Sequence, residues 1–148
     1  MATFQVVDEF ANYIATAGGT AGPDLDADAF KAALSNVAPT KAGTQVLADI
    51  TQIASTGGYA AVALTSVTWA ETGAGTGIWQ FGSAAFSFTA SGADFATARY
   101  VVIYDDTATT PAKPVVGYVD YGTTFVVTNG NSLTVTPGAN GIFRITVN

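Results

Sequence analysis

The chain has 148 residues, 49% hydrophobic and only 11% charged, with a formal net charge of −6. That length fits one domain able to bury roughly two-thirds of its unfolded surface. With no cysteine and no histidine, disulfides, thiol nucleophiles, the usual zinc ligands and imidazole acid–base chemistry are excluded.

The few cations, Lys31, Lys41, Arg99, Lys113 and Arg144, are scattered along an acidic chain. Phosphate recognition needs them clustered, so nucleic acid is not an expected partner. An ordinary soluble domain carries about 25% charged residues. Here the surface must be made of Thr, Ser, Gly, Ala and Asn, which suits a protein packed against other protein. The apolar runs are too short to span a membrane. The opening "MATFQVVDEF" is acidic and lacks a long apolar core, so it does not read as a secretory signal.

Phe4, Val7, Phe10, Ala11 and Ile14 recur at helical spacing. They predict a helix capped by Thr3, with Asp8 and Glu9 towards solvent and "AGGTAG" (17–22) as its stop. Its apolar stripe has two readings: packing on its own domain, or a docking arm for a neighbouring subunit. The stretch "GPDLDADAFKAALSNVAPT" fits a helix through Phe30, Ala33, Leu34 and Val37, or a strand through Phe30, Ala32 and Leu34; Pro39 ends either. "VLADITQIASTGGYAAVAL" gives short extended pieces broken at Gly57-Gly58. Trp69 and Trp79 flank a glycine-rich segment that lacks the G-x-G-x-x-G spacing and any following Lys-Ser/Thr pair. It reads as a hairpin loop rather than a phosphate cradle.

The second half reads as strands. In "AAFSFTA", Phe86, Phe88 and Ala90 alternate with Ala85, Ser87 and Thr89. "ARYVVIY" and "PVVGYVDYG" are apolar on both faces, as central strands are. "TTFVVTNGNSLTVTP" reads as a hairpin about Asn129-Gly130. "IFRITV" closes the chain with Phe143, Ile145 and Val147 on one side. The fold class is therefore mainly β: an antiparallel β-sandwich or jelly-roll-like domain over residues 23–148, preceded by an N-terminal helix and glycine-rich connection over 1–22. Few charges guard its edge strands, a second sign that copies of the chain cover one another.

Six segments carry a resemblance: "FKAALSNVAP" (30–39), "ADITQIASTGGY" (48–59), "FTASG" (88–92), "RYVVIYDDT" (99–107), "VVGYVDYG" (115–122) and "NGNSLTV" (129–135). In order and spacing, over most of the chain, they are similar to small structural proteins of tailed-bacteriophage virions, a kind that serves as capsid decoration (cement) or in the tail. The resemblance implies a strand for "FKAALS" and no catalytic residues or cofactors. It implies a place in the virion; the first reading is the outer capsid surface, with the major capsid protein and further copies of the chain (a dimer or trimer) as partners. For docking, the candidates are Phe4, Val7, Phe10 and Ile14, then Trp69 and Trp79, because large aromatics dominate interface energetics.

Other functions are weighed beside this one. A tail or fibre-knob protein binding a host glycan would use Trp79 with Asp94. A carboxylate glycosidase would need a pair such as Glu71 and Asp120, which nothing in the spacing singles out. Asp105, Asp106 and Asp120 are hard oxygen ligands for calcium if they converge at one end of the sheet; the competing reading is loop aspartates binding their own backbone amides.

Overall fold

A computed structural model describes residues 3–16 and 22–147. The expected helix stop at 17–22 therefore lies, except for Gly22, outside the described residues. Among the described residues the fold is mainly β, with antiparallel sheets and one short α-helix.

The largest sheet has five strands. At its centre runs β7 (Ala98–Asp105), between β2 (Phe30–Ser35) and β8 (Val115–Phe125). The edges are β1 (Phe4–Val6) beside β8 and β3 (Val62–Ala63) beside β2. Every residue of β7 except Arg99 is buried, which explains why "RYVVIY" shows no polar face. β2 is a strand, as the resemblance implies: it pairs with β7 from Phe30↔Asp105 to Ser35↔Tyr100.

A three-stranded sheet is built from β4 (Thr68–Glu71), β5 (Ile78–Gly82) and β10 (Phe143–Thr146), with β5 in the middle. A two-stranded ribbon joins β6 (Phe86–Thr89) to β9 (Ser132–Val135). Its inner face is Phe86, Phe88, Leu133 and Val135. Its outer face is a hydroxyl ladder, with Ser87–Thr134 at 2.8 Å and Thr89–Ser132 at 2.7 Å.

Two local expectations are corrected. The helix begins at Asp8 rather than beside Thr3: α1 covers Asp8–Thr16, and Phe4–Val6 is the edge strand β1. The alternation in Phe4-Gln5-Val6 is used for pairing with Val119, Tyr118 and Gly117. Asp8 and Glu9 then fall in the first helical turn, where negative charge suits the helix dipole. Gly117 permits this close pairing. A Cβ there would lie 2.7 Å from the Phe4 ring and closer still to the Gln5 carbonyl oxygen.

The second correction concerns the hairpin about Asn129-Gly130. The turn exists, with Gly130 at φ +82°, but its flanking runs do not pair with each other. Residues up to Phe125 belong to β8 and pair with β7 through Ala98. Val127 O then accepts Phe95 N–H at 3.0 Å, and Asp94 Oδ1 accepts Asn129 N–H at 2.8 Å. These bonds draw the chain away from β8, and β9 finds β6 instead.

Separate groups of aromatic contacts tie the core together. Phe30 of β2 meets Phe81 of β5 edge-on at 4.9 Å. Phe143 of β10 touches Phe4, Phe10, Trp69 and Phe81, all within 6.3 Å. The first and last strands are thus held together through one ring. Tyr59 packs on Phe88 and Phe95, and its hydroxyl accepts Leu34 N–H at 2.8 Å.

Candidate functional site

The N-terminal docking candidates divide. Val7 and Phe10 have 0% exposure, so the chain's own core takes up their apolar surface and leaves none for a partner. Phe4 is half-buried and stacked on Phe143 at 6.3 Å; Ile14 is half-buried against the same core. At Val7 and Phe10 the stripe packs on its own domain, the first of its two readings, while Phe4 and Ile14 keep part of their surface exposed.

The tryptophans sit differently. In the register of the three-stranded sheet, Trp69 opposes Phe81, Glu71 opposes Trp79, Phe143 opposes Phe81 and Ile145 opposes Trp79. Directly opposed residues share a face. Trp69, Glu71, Trp79, Phe81, Phe143 and Ile145 therefore line one side, and Arg144, opposite Gln80, lies on the other. Along this side burial falls steadily. Phe81 is 0% exposed, whereas Trp79 and Ile145 are each 39% exposed and Val147, just beyond β10, is 66% exposed. Trp69 is half-buried and stacks on Trp79 with centroids 5.7 Å apart. The sheet runs out of the core and leaves its far end apolar and open.

That end is held rigidly. The β4–β5 loop folds around Glu71, whose Oε1 accepts Gly77 N–H at 2.8 Å and whose Oε2 accepts Gly75 N–H at 3.2 Å. Gly77 sits at φ +66°, where only glycine is at ease. Its carbonyl accepts Val147 N–H at 2.8 Å, so the loop fixes the exposed Val147 beside Trp79. Glu71 is the one charge on this face of the three strands, and its carboxylate is bound to backbone amides. Sequence reasoning named the tryptophans but missed Ile145 and Val147. Their alternation was visible; which end of the strand would lie beyond the core was not.

A second apolar feature is a cleft of about 470 Å³ between the five-stranded sheet and the ribbon, lined in part by Phe86, Val101, Val119, Tyr121 and Val135. A shallower hollow of about 360 Å³ shares Tyr121 with it.

The carboxylates are engaged in holding the fold. Asp120 is gripped by Arg99 at 2.7 and 2.8 Å and also accepts Gly122 N–H at 2.7 Å. The Arg99 bonds, then the Gly122 amide, hold its carboxyl below the usual range. Asp106 bridges Lys31 at 2.6 Å and Lys113 at 2.7 Å. Burial pushes the Asp106 carboxyl up, but the two lysines outweigh it and the net direction is down. Asp105 Oδ1 accepts the amides of Thr107 and Ala108, the local turn expected of loop aspartates.

The calcium arrangement is corrected. Asp120 lies opposite Tyr100, while Asp105 lies five residues further along β7, about 16 Å away at the usual strand rise. The three carboxylates stand at opposite ends of the sheet and do not converge. Among the described residues no group of three or more His, Cys, Asp or Glu is placed to hold a metal. Glu71 and Asp120 belong to different sheets. Asp94, suggested beside Trp79 for glycan binding, is tied to the Asn129 amide, while the ring neighbour of Trp79 is Trp69.

Compared with family models, curated proteins and solved structures, the chain matches none. Among the described residues no helix is long and apolar enough to cross a membrane.

Proposed function

We propose that this chain is a structural protein of a tailed-bacteriophage virion, a capsid decoration protein. It binds the outer surface of the major capsid shell as a homo-oligomer and stabilises the shell by bridging capsomers. In this reading the antiparallel sheets form a sandwich of jelly-roll type, an arrangement supported by the Phe30–Phe81 contact between the five- and three-stranded sheets. The chemistry is burial of apolar surface, without a reaction.

The observation that carries the proposal is the open end of the three-stranded sheet. Trp79, Ile145 and Val147 form a fixed, nearly uncharged apolar surface backed by Trp69. Covering it with a partner removes apolar area from water and desolvates almost no charge. A standard interface buries about 1,600 Å² in total, and many copies on one shell add avidity. The motif resemblance supplies the identity of the shell.

A tail or fibre-knob protein binding a host glycan is the second reading. It is favoured by the exposed indole of Trp79, a flat apolar surface of the kind a sugar ring can stack on.

Mixing the purified chain with mature, undecorated capsids and imaging them tests both. Regular density at the symmetry axes is expected, and Trp79→Ala should weaken it. Bare shells would sink the decoration reading, and density confined to tails would favour the second. Light scattering during size exclusion should show an oligomer, which a strict monomer would contradict.

A further inference from the structure

Asp105 is more than a turn former. It ends β7 with 0% exposure. Its Oδ1 accepts two amides, from Thr107 at 2.8 Å and Ala108 at 3.0 Å, but among the described residues its buried Oδ2 has no hydrogen-bond donor. A buried carboxylate oxygen without a donor is costly and calls for an explanation. The turn that carries Asp28 is hydrogen-bonded to the end of β7, and the Asp28 carboxyl acts on Asp105 to push it up. Two ionised carboxylates can only repel each other; one proton between them turns the contact into a hydrogen bond.

Asp28 belongs to a compact turn, Asp24–Ala29. Asp24 Oδ1 accepts the amides of Asp26 and Ala27, and Asp28 Oδ2 accepts Asp24 N–H at 2.7 Å. The turn is stitched to the end of β7: Ala29 N–H donates to Thr107 Oγ1 at 2.9 Å, and Asp106 N–H donates to Ala29 O at 2.8 Å. Leu25 anchors it in the core.

We propose that Asp105 and Asp28 share a single proton, and that this proton is a pH-sensitive latch holding the Asp24–Ala29 turn onto the end of β7. Other groups at this corner do not supply the missing donor. Lys31 from β2 and Lys113 from the β7–β8 connection are both bound to Asp106. Asp24 is occupied by amides, and Asp26 on the turn carries the same sign. From β8's side the contact is the Pro114 carbonyl, which accepts Asp105 N–H.

Burial raises the Asp105 carboxyl. The Ala108 and Thr107 amides pull it down, Asp28 pushes it up again, and it comes to about 7 from 3.8. A carboxyl raised on folding takes up a proton as the chain folds. Its favourable contribution is complete below about pH 4 and is lost as pH rises to about 7; above that it changes no further. Each unit of difference is tenfold in the folding equilibrium, so the upper bound is about a thousandfold.

The test uses the full chain. Carboxyl-carbon NMR from pH 4 to 9 should show Asp105 titrating near neutrality. Exchange at the Ala29 and Asp106 amides should rise at least tenfold more than base catalysis explains over the same range. Asp105→Asn, whose amide reproduces both the acceptor and the donor of the protonated acid, should fold and flatten the pH dependence of melting between 5 and 7. Asp28→Asn should bring the Asp105 midpoint down, since its amide can donate to an ionised Asp105. An Asp105 midpoint near 4 in the wild type, or unchanged pH dependence in Asp105→Asn, would overturn the latch. So would calcium chloride abolishing the dependence and EDTA restoring it, which would put a cation where the proton is assigned.

Discussion

The five-stranded and three-stranded sheets use the same kind of residues to opposite ends. In β7 the run from Tyr100 to Asp105 is buried on both faces, because β2 and β8 flank it and other elements cover it. In β5 and β10 one apolar side begins at Phe81 and Phe143 inside the core and finishes at Trp79, Ile145 and Val147 outside it. Composition does not separate the two cases; what packs on each strand does. Phe30, Phe4 and Phe10 cover the near end of the small sheet, and among the described residues no aromatic ring covers Trp79 except Trp69. Among the described residues the far end of the small sheet is less covered than its near end.

Phe81→Ala gives the largest expected effect. The ring is fully buried between Phe30 and Phe143. Removing it leaves a cavity where the two sheets meet and should cost about 3–5 kcal/mol. Denaturant unfolding of both proteins measures this. A loss under about 1 kcal/mol would mean that the sheets do not depend on this contact and that the near end of the small sheet is not core.

Gly117→Ala comes next. It tests the N-terminal strand from the five-stranded side. The added methyl would press on the Phe4 ring and the Gln5 carbonyl, so β1 must shift or detach. Overpacking of this kind costs about 1–3 kcal/mol. Because Phe4 stacks on Phe143, amide exchange should quicken in β1 and also in β10. Quickening in β1 alone would show that the aromatic link between the first and last strands carries no stability.

Much of the large sheet was legible in the sequence. Runs apolar on both faces, rich in β-branched and aromatic residues, at 100–104 and 115–119 read as central strands, and the Phe86/Phe88 alternation pointed to β6. What was not legible depends on distant partners. The Asn129-Gly130 turn was visible, but whether β9 would return to β8 or cross to β6 depended on Phe95 and Asp94 capturing Val127 and Asn129. The reading of loop aspartates that bind their own backbone amides holds for Asp105, through Thr107 and Ala108. Lys31, which binds Asp106, comes from far along the chain, and no local pattern pairs the two. The N-terminal stripe had two readings because helical spacing shows that a face is apolar, not what it meets. Val7 and Phe10 meet their own core.

Trp79→Ala should have the smallest effect on the isolated chain, and it bears most on the contrast between the sheets. The indole is 39% exposed and its ring partner is Trp69. Losing an aromatic pair at a surface costs about 0.5–1.5 kcal/mol beyond the lost burial. The Glu71 carboxylate would still bind Gly75 and Gly77 and keep the hairpin closed. The midpoint of unfolding should therefore move much less than in Phe81→Ala, and the remaining emission, from Trp69 alone, should shift to the red as its ring becomes wetted. If Trp79→Ala instead costs as much as Phe81→Ala, both ends of the small sheet are core, and its far end is no docking surface. If the cost is small, the exposed end contributes little to the fold that carries it.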